Sequence, residues 1–178
     1  LVCAIRRDGK TIIPDGNATL KAGDIICFAA EPKEAEHFLQ LCGIKSRMPK
    51  HVMVVGAGKI AYYLIRMMLQ VGMRPVVIEN DAGKADAFNQ DLSNVLIINA
   101  DGTNREVLEE EGLDSTDAFV TLTGIDEVNL LMGMYAQRNG VPKVVTKISK
   151  GSTLELIDSS LAGTVVCPRD IVAERVIS

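Results

Sequence analysis

The residues with the clearest chemical potential form a glycine turn between a short apolar run and a helix-like segment. The run His51–Val55 leads into Gly56-Ala57-Gly58-Lys59-Ile60, and a later apolar run ends on the acid Glu79. In a strand–turn–helix unit of this kind the first glycine permits the tight turn, and the second lets the backbone approach a pyrophosphate at the helix N-terminus. The acid, about 20 residues further on, accepts the ribose hydroxyls. The pattern predicts nucleotide binding, and the alternative is a turn that only shapes the sheet.

The adenosine end of such a ligand would meet the residues after the second and third strand-like runs. Glu79 would repel a 2′-phosphate, and Asn80 follows it instead of an arginine, so NAD is expected rather than NADP. Asp101, next to Gly102, could accept a hydrogen bond from an adenine amino group. Alternatively, Asp101 or Thr103 caps the following helix.

The distal end of the ligand would meet the residues after the fourth and fifth runs. Thr123 and Gly124 follow the fourth run and leave room for a ligand. Thr123 and Asp126 could equally be helix-entry residues, which accept hydrogen bonds from free backbone amides. Lys147 ends the fifth run, where a cation would suit a pyrophosphate or a terminal phosphate, and the alternative is a solvated lysine. Together these residues predict a site beyond the carboxyl ends of the strands.

The sequence offers no clear machinery for hydride transfer. A Rossmann dehydrogenase places a histidine, lysine or tyrosine beside the nicotinamide to donate or accept a proton. Neither His37 nor His51 falls at a predicted strand end on the ligand side, and no Tyr-x-x-x-Lys pair is present. The histidines also lack metal-ligand spacing. We therefore predict a binding or sensing role without catalysis, with a fragment of a nicotinamide-dependent oxidoreductase as the alternative.

Charge and hydropathy argue against two kinds of partner. The 178 residues carry a formal net charge of −4 and no basic stripe, whereas the phosphates of nucleic acid reward clustered lysine and arginine. No run reaches the roughly 18 apolar residues that a membrane span requires, so no span is expected. The chain begins at Leu1 inside a strand-like run and stops at Ser178 inside a helical pattern, which indicates a piece of a longer protein.

The cysteines and several helical residues are expected in the interior. The four cysteines lie beside apolar residues without a C-x-x-C pair, which predicts small buried thiols kept reduced in the cytosol. A disulfide between Cys3 and Cys27 on neighbouring strands is the alternative. Helical spacing predicts core packing for Leu64, Met67, Met68, Leu69, Leu130, Leu131, Met132 and Met134.

Strand-like and helix-like segments alternate from Val52 onward with short connections, as is typical of βαβ units that build a parallel sheet. The right-handed crossover rule then predicts a doubly wound, Rossmann-like α/β sheet with helices on both faces. Strands are predicted over 51–55, 74–79, 94–98, 117–122, 143–147 and 164–166. Helices are predicted over 59–72, 82–91, 104–111, 126–139 and 151–160, with a last one beginning after Pro168.

The first part of the chain has the composition of a separate, small β-rich α+β lobe. Strand-like runs cover 2–5 and 25–28 with turn signals between them, which predicts a β-hairpin. A helix from Pro32 to about Leu41 is expected to follow. The polar stretch 45–50 is the predicted linker to the larger sheet.

A set of motifs spans residues 52–148. It comprises Gly56-Ala57-Gly58-Lys59-Ile60, Glu79, Asp101-Gly102-Thr103, Thr123-Gly124, Asp126-Glu127-Val128-Asn129-Leu130-Leu131 and the strand that ends at Lys147. Together these motifs resemble the N-terminal, nucleotide-binding lobe of the RCK or KTN domains that regulate potassium conductance, particularly in the NAD-binding peripheral subunits of Trk potassium-uptake systems. The Asp-Glu-x-Asn-Leu segment is much more distinctive than the glycines.

The first 42 residues resemble the later half of the small C-terminal lobe in the same family. The resembling segments are Ala4-Ile5-Arg6-Arg7, Ile13-Pro14-Asp15-Gly16 and Leu20-Lys21-Ala22-Gly23-Asp24. A C-terminal lobe that precedes an N-terminal lobe implies two regulators joined in tandem. The implied parts are 1–44, the end of the first repeat; 50–166, the Rossmann lobe of the second; and 167–178, the start of a helix that crosses to a following lobe.

The resemblance also implies a function and partners. It implies a cytoplasmic regulatory subunit, peripheral on the inner face of the cell membrane, that gates a membrane potassium-transport subunit. Its ligand would be NAD or NADH, or alternatively ATP or ADP. A homo-oligomer, either a dimer or a higher ring, is implied as well, and regulation of a cation/proton antiporter is a further alternative. We expect self-association through the sheet edge and the helix after Pro168, whose apolar stripe is formed by Ile171, Val172, Val176 and Ile177.

The resemblance assigns a part of the ligand to each site residue. Gly56, Ala57, Gly58, Lys59 and Ile60 would hold the phosphates. Glu79 would bind the ribose, and Asp101 with Gly102 would lie on the adenosine side. Thr123, Gly124 and Lys147 would contact the distal half of the ligand.

Overall fold

The computed structural model describes residues 2–7, 9–43, 48–150, 159–169 and 171. The chain divides into two compact units, Leu1–Met48 and Pro49–Ser178. The first contains a small antiparallel sheet, and the second contains a parallel sheet.

The first unit is a three-stranded antiparallel sheet followed by a helix. The strand order is β2-β1-β3, and the bounds are β1 Val2–Arg7, β2 Lys10–Ile12, β3 Ile25–Phe28 and α1 Pro32–Leu41. Gly9, between β1 and β2, has a φ of +76°, a left-handed conformation that favours glycine. The predicted strands and helix are confirmed, and β2 is an additional strand.

The predicted burial of the cysteines is correct at one position. Cys167 is buried, whereas Cys3, Cys27 and Cys42 are exposed. Side chains alternate between the two faces of a strand, and Cys27 points away from the half-buried face of β3. In the antiparallel register Cys27 lies opposite Ala4 rather than opposite Cys3.

An ion pair in this unit ties β1 to the long connection between β2 and β3. Arg7 Nε and Nη2 donate to the two oxygens of the Asp24 carboxylate, at 2.7 and 2.6 Å. The N–H of Lys21 donates to the same carboxylate at 2.8 Å, and Arg7 Nη2 also donates to the carbonyl of Thr19 at 2.9 Å. The hydrogen bond from the Arg7 side chain, together with that from the Lys21 backbone, lowers the pKa of Asp24 from 3.8 to about 2.

We expect Asp24→Asn to loosen this connection at neutral pH. A carboxylate with a lowered folded-state pKa stabilises the fold above its unfolded pKa, and that contribution is lost as the pH falls from about 4 toward 2. Hydrogen exchange measured by mass spectrometry should show smaller protection factors over residues 17–24 in Asp24→Asn at pH 7. In wild type the same protection should decrease as the pH falls through this window. The control is Asp15→Asn, an exposed acid in the same connection, and equal protection in Asp24→Asn and wild type would contradict the prediction.

The second unit is a six-stranded parallel sheet with strand order β6-β5-β4-β7-β8-β9. Its strands are β4 His51–Val55, β5 Arg74–Glu79, β6 Leu96–Asn99, β7 Ala118–Thr121, β8 Lys143–Lys147 and β9 Thr164–Val166. The α-helices whose full extent lies within the described residues are α2 Lys59–Gln70, α3 Ala82–Asp91, α4 Arg105–Glu110 and α5 Asp126–Arg138. Short 3₁₀ turns cover Leu113–Ser115 and Ser159–Ala162. The predicted doubly wound fold is confirmed.

Most element bounds agree with the sequence predictions to within one or two residues. Helix α2 ends early, at Gln70, because Gly72 follows with a φ of +79°. Most of the predicted helix 151–160 lies outside the described residues, and its last two positions belong to a 3₁₀ turn. The helix predicted after Pro168, with most of its apolar stripe, also lies largely outside them. Within the described ranges, no helix has both the length and the apolar character required to cross a membrane.

Most of the described core forms two apolar layers, one on each face of the parallel sheet. Alternate residues of β4 enter opposite layers, because successive side chains of a strand point to opposite faces. One layer joins Val52 and Val54 to residues of α2 and α3, including Ala61, Ile65 and Phe88. The other joins Met53 and Val55 to residues of α4 and α5, including Leu108, Met132 and Ala136. Burial on both faces explains why β4 is a continuous apolar run instead of an alternating one.

Two residues expected in the core are instead on the surface. Met67 is 63% exposed and Leu131 is 67% exposed. Neighbouring residues on a helix point about 100° apart, so Met68 is buried beside the exposed Met67 on α2, and Leu130 and Met132 are buried on either side of the exposed Leu131 on α5. The predicted burial of Met67 and Leu131 is wrong for this reason.

Candidate functional site

A cavity of about 640 Å³ opens beyond the carboxyl ends of the parallel strands. It lies where the chain changes direction in the sheet, because β5 and β6 lie on one side of β4 and β7 to β9 on the other. Open α/β sheets bind ligands at such a switch point. All of the sequence-predicted site residues line this one cavity: Gly56, Ala57, Gly58, Lys59, Ile60, Glu79, Asp101, Gly102, Thr123, Gly124 and Lys147.

The two glycines of the turn have different roles. Gly56 has a φ of +104°, and a Cβ there would lie 3.0 Å from backbone atoms of Leu122 and Thr123, so the turn itself requires glycine. Gly58 has an ordinary extended conformation and open space around it, so a side chain at Gly58 would occupy the cavity without disturbing the fold. Ala61 is fully buried at the contact between α2 and the sheet, as expected for a small residue at that position.

The first turn of α2 presents a positive surface to the cavity. Gly58 is the N-cap residue and has no side chain to accept from the first N–H groups of the helix. These N–H groups have no acceptor within the helix, and the helix dipole makes this end partly positive. Lys59 and Ile60 follow, and both line the cavity. This arrangement suits the phosphates of a nucleotide.

Glu79 joins the glycine turn to the end of β5. Its side chain is buried at 7% exposure. Oε2 accepts from the N–H of Ala57 at 2.7 Å, and Oε1 accepts from the N–H of Asp81 at 2.9 Å. Each carboxylate oxygen can accept a second hydrogen bond. Glu79 can therefore still accept from ribose hydroxyls, and that contact stays a prediction. The structural role of Glu79 in supporting the turn was not predicted from the sequence.

Asp101 is held in a tight turn instead of capping a helix. Its Oδ1 accepts from the N–H and the hydroxyl of Thr103, at 2.9 and 2.8 Å, and these hydrogen bonds lower the pKa of Asp101. The N-cap of α4 is Asn104, whose Oδ1 accepts from the N–H of Glu106 at 2.9 Å. The capping alternative for Asp101 and Thr103 is therefore wrong, and Asp101 lies charged at the cavity.

Gly102 packs closely against Val55 of β4. A side chain at Gly102 would overlap that of Val55, so the position tolerates only glycine.

The distal wall of the cavity is built from the residues after β7 and β8. Lys147 is half-buried, and its Nζ donates to the carbonyl of Thr123 at 2.8 Å, so the solvated-lysine alternative is wrong. The Thr123 hydroxyl lies 2.7 Å from Asn129 Oδ1. Asp126 does not cap its own helix, because its carboxylate accepts from the N–H groups of Ser149 and Lys150. The alternative interpretation of Asp126 as a helix-entry residue is therefore also wrong.

Sequence reasoning missed several residues that line the cavity. Val128 and Met132 lie one turn apart on α5 and form part of its apolar wall, and their helical spacing was the available signal. Lys84 also lines the cavity, with its Nζ 3.5 Å from the Asp81 carboxylate. Nothing in the sequence around Lys84 distinguishes it from a surface lysine. Among the described residues, no group of three or more metal-ligating side chains occurs.

A doubly wound parallel sheet with a glycine turn at its switch point defines the Rossmann class of fold. The TrkA-N domain model matches residues 52–168, and the TrkA-C domain model matches residues 1–43. The chain belongs to the TrkA family.

Curated relatives of the chain are potassium-uptake proteins. The Trk system potassium uptake protein TrkA of Haemophilus influenzae is 30% identical over 173 residues, which cover 96% of this chain and 37% of that protein. The protein of the same name from Vibrio alginolyticus is 28% identical over 168 residues, which cover 94% of this chain and 36% of that protein. The chain therefore spans little more than a third of the length of these relatives.

Solved structures share the fold. The RCK domain of GsuK superposes with a TM-score of 0.66 at 13% identity, covering 99% of this chain and 37% of that one. The GsuK channel bound to NAD superposes with a TM-score of 0.57 at 14% identity, covering 75% of this chain and 25% of that one.

Proposed function

We propose that the crevice binds NAD or NADH and that the chain is the sensing region of a regulatory subunit of a potassium-uptake transporter. The observation that carries the proposal is that one cavity, at the switch point of the sheet, brings together all of the predicted site residues. Membership of the TrkA family supports the link to potassium uptake. The GsuK channel, a fold neighbour, is bound to NAD.

The charges along the cavity fit an extended dinucleotide. The positive first turn of α2 suits the pyrophosphate, and the acids Glu79 and Asp101 suit hydroxyl and amino donors of the adenosine half. Lys147 and the small residues Thr123 and Gly124 form the opposite wall, where we place the distal half. ATP or ADP is the second candidate, because its phosphates would extend toward Lys147.

We further propose that the subunit is cytoplasmic, peripheral on the inner face of the membrane, and acts on a membrane potassium-transport subunit as a homo-oligomer. In this proposal residues 1–44 end one repeat, 50–166 form the nucleotide lobe of the next, and 167–178 begin a crossover helix. The bound nucleotide is not consumed. Regulation then requires that the ligand bind two conformations of the subunit with different affinity. A ligand that binds both equally does not shift the equilibrium between them.

Isothermal titration calorimetry with NAD, NADH, ATP and ADP tests the binding proposal. We expect saturable binding of at least one dinucleotide, and no binding by any of the four would contradict it. The alternative, an oxidoreductase fragment, predicts that NADH absorbance falls when a carbonyl substrate is added, and such a change would exclude a purely sensing role.

NADP is expected to stabilise the chain less than NAD. At a hundred times its dissociation constant a ligand adds about 2.7 kcal/mol to the free energy of unfolding. A 2′-phosphate on the ribose would approach the Glu79 carboxylate, which repels it. Thermal melts at equal concentrations should therefore show a smaller rise in melting temperature with NADP than with NAD. An equal or larger rise with NADP would contradict the placement of the ribose at Glu79.

A further inference from the structure

Asn129 is a fully buried polar residue in the first turn of α5, with 0% exposure. Its Oδ1 accepts from the N–H and the hydroxyl of Thr123, at 3.0 and 2.7 Å. Its Nδ2 donates to the carbonyls of Thr123 and Lys147, both at 3.1 Å. An asparagine amide has two donor hydrogens and two acceptor lone pairs, and all are used here. The orientation of the amide is fixed, because one of its atoms faces a backbone N–H and the other faces two carbonyls.

Asp126, the first residue of the same helix, holds the main chain just after β8. It is 7% exposed, and both of its carboxylate oxygens accept from the N–H of Ser149 at 2.9 Å. One of them also accepts from the N–H of Lys150 at 3.1 Å. The first turn of α5 therefore fixes the end of β8 through two buried side chains.

Neither Asn129 nor Asp126 lines the cavity, but Asn129 positions two residues that do. The carbonyl of Thr123 accepts from Asn129 Nδ2 and also from Lys147 Nζ at 2.8 Å. Asn129 thus orients the acceptor that holds the Lys147 ammonium, and it holds the main chain of Lys147 as well. Glu79 accepts from the N–H groups of Ala57 and Asp81, and Asp101 accepts from Thr103, so these residues belong to the other part of the wall.

We infer that Asn129 is the positioning residue for the distal wall of the nucleotide site, acting through Thr123 and Lys147 without touching the ligand. This inference rests on the proposed function. It assigns a role to the Asp-Glu-Val-Asn segment that the resemblance singled out: the segment aligns the wall that meets the half of the ligand beyond the first phosphate. The adenosine half depends on other residues.

The test compares NAD with AMP as calorimetric probes, because AMP lacks the distal half. Asn129→Asp keeps the side-chain shape but replaces the Nδ2 donor with an oxygen that faces two carbonyls. We expect it to raise the dissociation constant of NAD about tenfold or more, as for a lost hydrogen bond in a charged network. The dissociation constant of AMP should stay within about twofold, since well-separated sites behave independently. The matched control is Asn139→Asp, an exposed change at the other end of α5.

An equal loss of affinity for NAD and AMP would mean that Asn129 only stabilises the fold. An unchanged affinity for NAD would mean that Asn129 does not position the distal wall. Either result overturns the inference. If Asn129→Asp does not fold, as judged by circular dichroism, Asn129→Ser is used instead. It removes the hydrogen bonds from Nδ2 to the two carbonyls without burying a charge, and its NAD and AMP affinities are compared in the same way. If wild type binds neither probe, the proposed function itself fails, which is distinguishable from both results.

Discussion

Gly58→Asp is expected to abolish nucleotide binding while leaving the fold intact. The conformation of Gly58 is open to any residue, and a Cβ there meets nothing within 4 Å. The new carboxylate would extend into the cavity at the first turn of α2, where we place the phosphates. Two like charges about 4 Å apart near a protein surface repel by about 4 kcal/mol, which corresponds to a roughly thousandfold loss of affinity.

Calorimetry with NAD measures this loss, and circular dichroism checks the fold. The control is Gly16→Asp, which adds the same charge at an exposed, sterically open glycine outside the cavity. A substitution at Gly56 could not replace Gly58→Asp in this test, because any side chain at Gly56 strains the turn itself. Unchanged NAD affinity in folded Gly58→Asp would contradict our assignment of the phosphate site.

Glu79→Ala is expected to weaken both the fold and the site. The substitution leaves the N–H groups of Ala57 and Asp81 without the acceptors they use at 2.7 and 2.9 Å. The N–H of Ala57 is buried, and an unsatisfied buried donor costs about 1–3 kcal/mol, so the free energy of unfolding should fall by about that amount. NAD affinity should fall by a further 1–3 kcal/mol, roughly 5- to 150-fold, because the ribose loses a charged acceptor.

Urea unfolding and calorimetry separate the two effects. Glu110→Ala is the control, since that acid is exposed on α4 and does not line the cavity. A stability loss without any loss of NAD affinity would remove Glu79 from the ribose contact and leave it only the support of the turn.

The elements that the sequence predicts well are those defined by short-range chemistry. Strands β4 and β5 are apolar runs that end at a glycine or an acid, and their predicted bounds agree with the structure. The glycine turn is equally local, because the positive φ of Gly56 and the open space at Gly58 follow from their places between β4 and α2. The switch point then brings the ends of distant strands together by topology alone.

The features that escaped prediction depend on contacts between parts of the chain far apart in sequence. Asn129 bonds the carbonyl of Lys147, 18 positions later, and nothing near Asn129 signals that partner. The same holds for Glu79 and the N–H of Ala57. A third feature is local: Asn104 caps α4, whereas Asp101 is engaged by Thr103, and the sequence pattern alone does not decide between polar residues so close together.

Potassium flux into reconstituted vesicles tests the proposed regulation most directly. The vesicles would hold the membrane transporter together with the full-length subunit that contains this chain. With the wild-type subunit, exchanging NAD, NADH, ATP or ADP should change the rate of potassium flux, while the nucleotide is recovered chemically unchanged. With Gly58→Asp the flux should no longer respond to the exchange. An identical nucleotide response in the two proteins would contradict the claim that this crevice controls potassium transport.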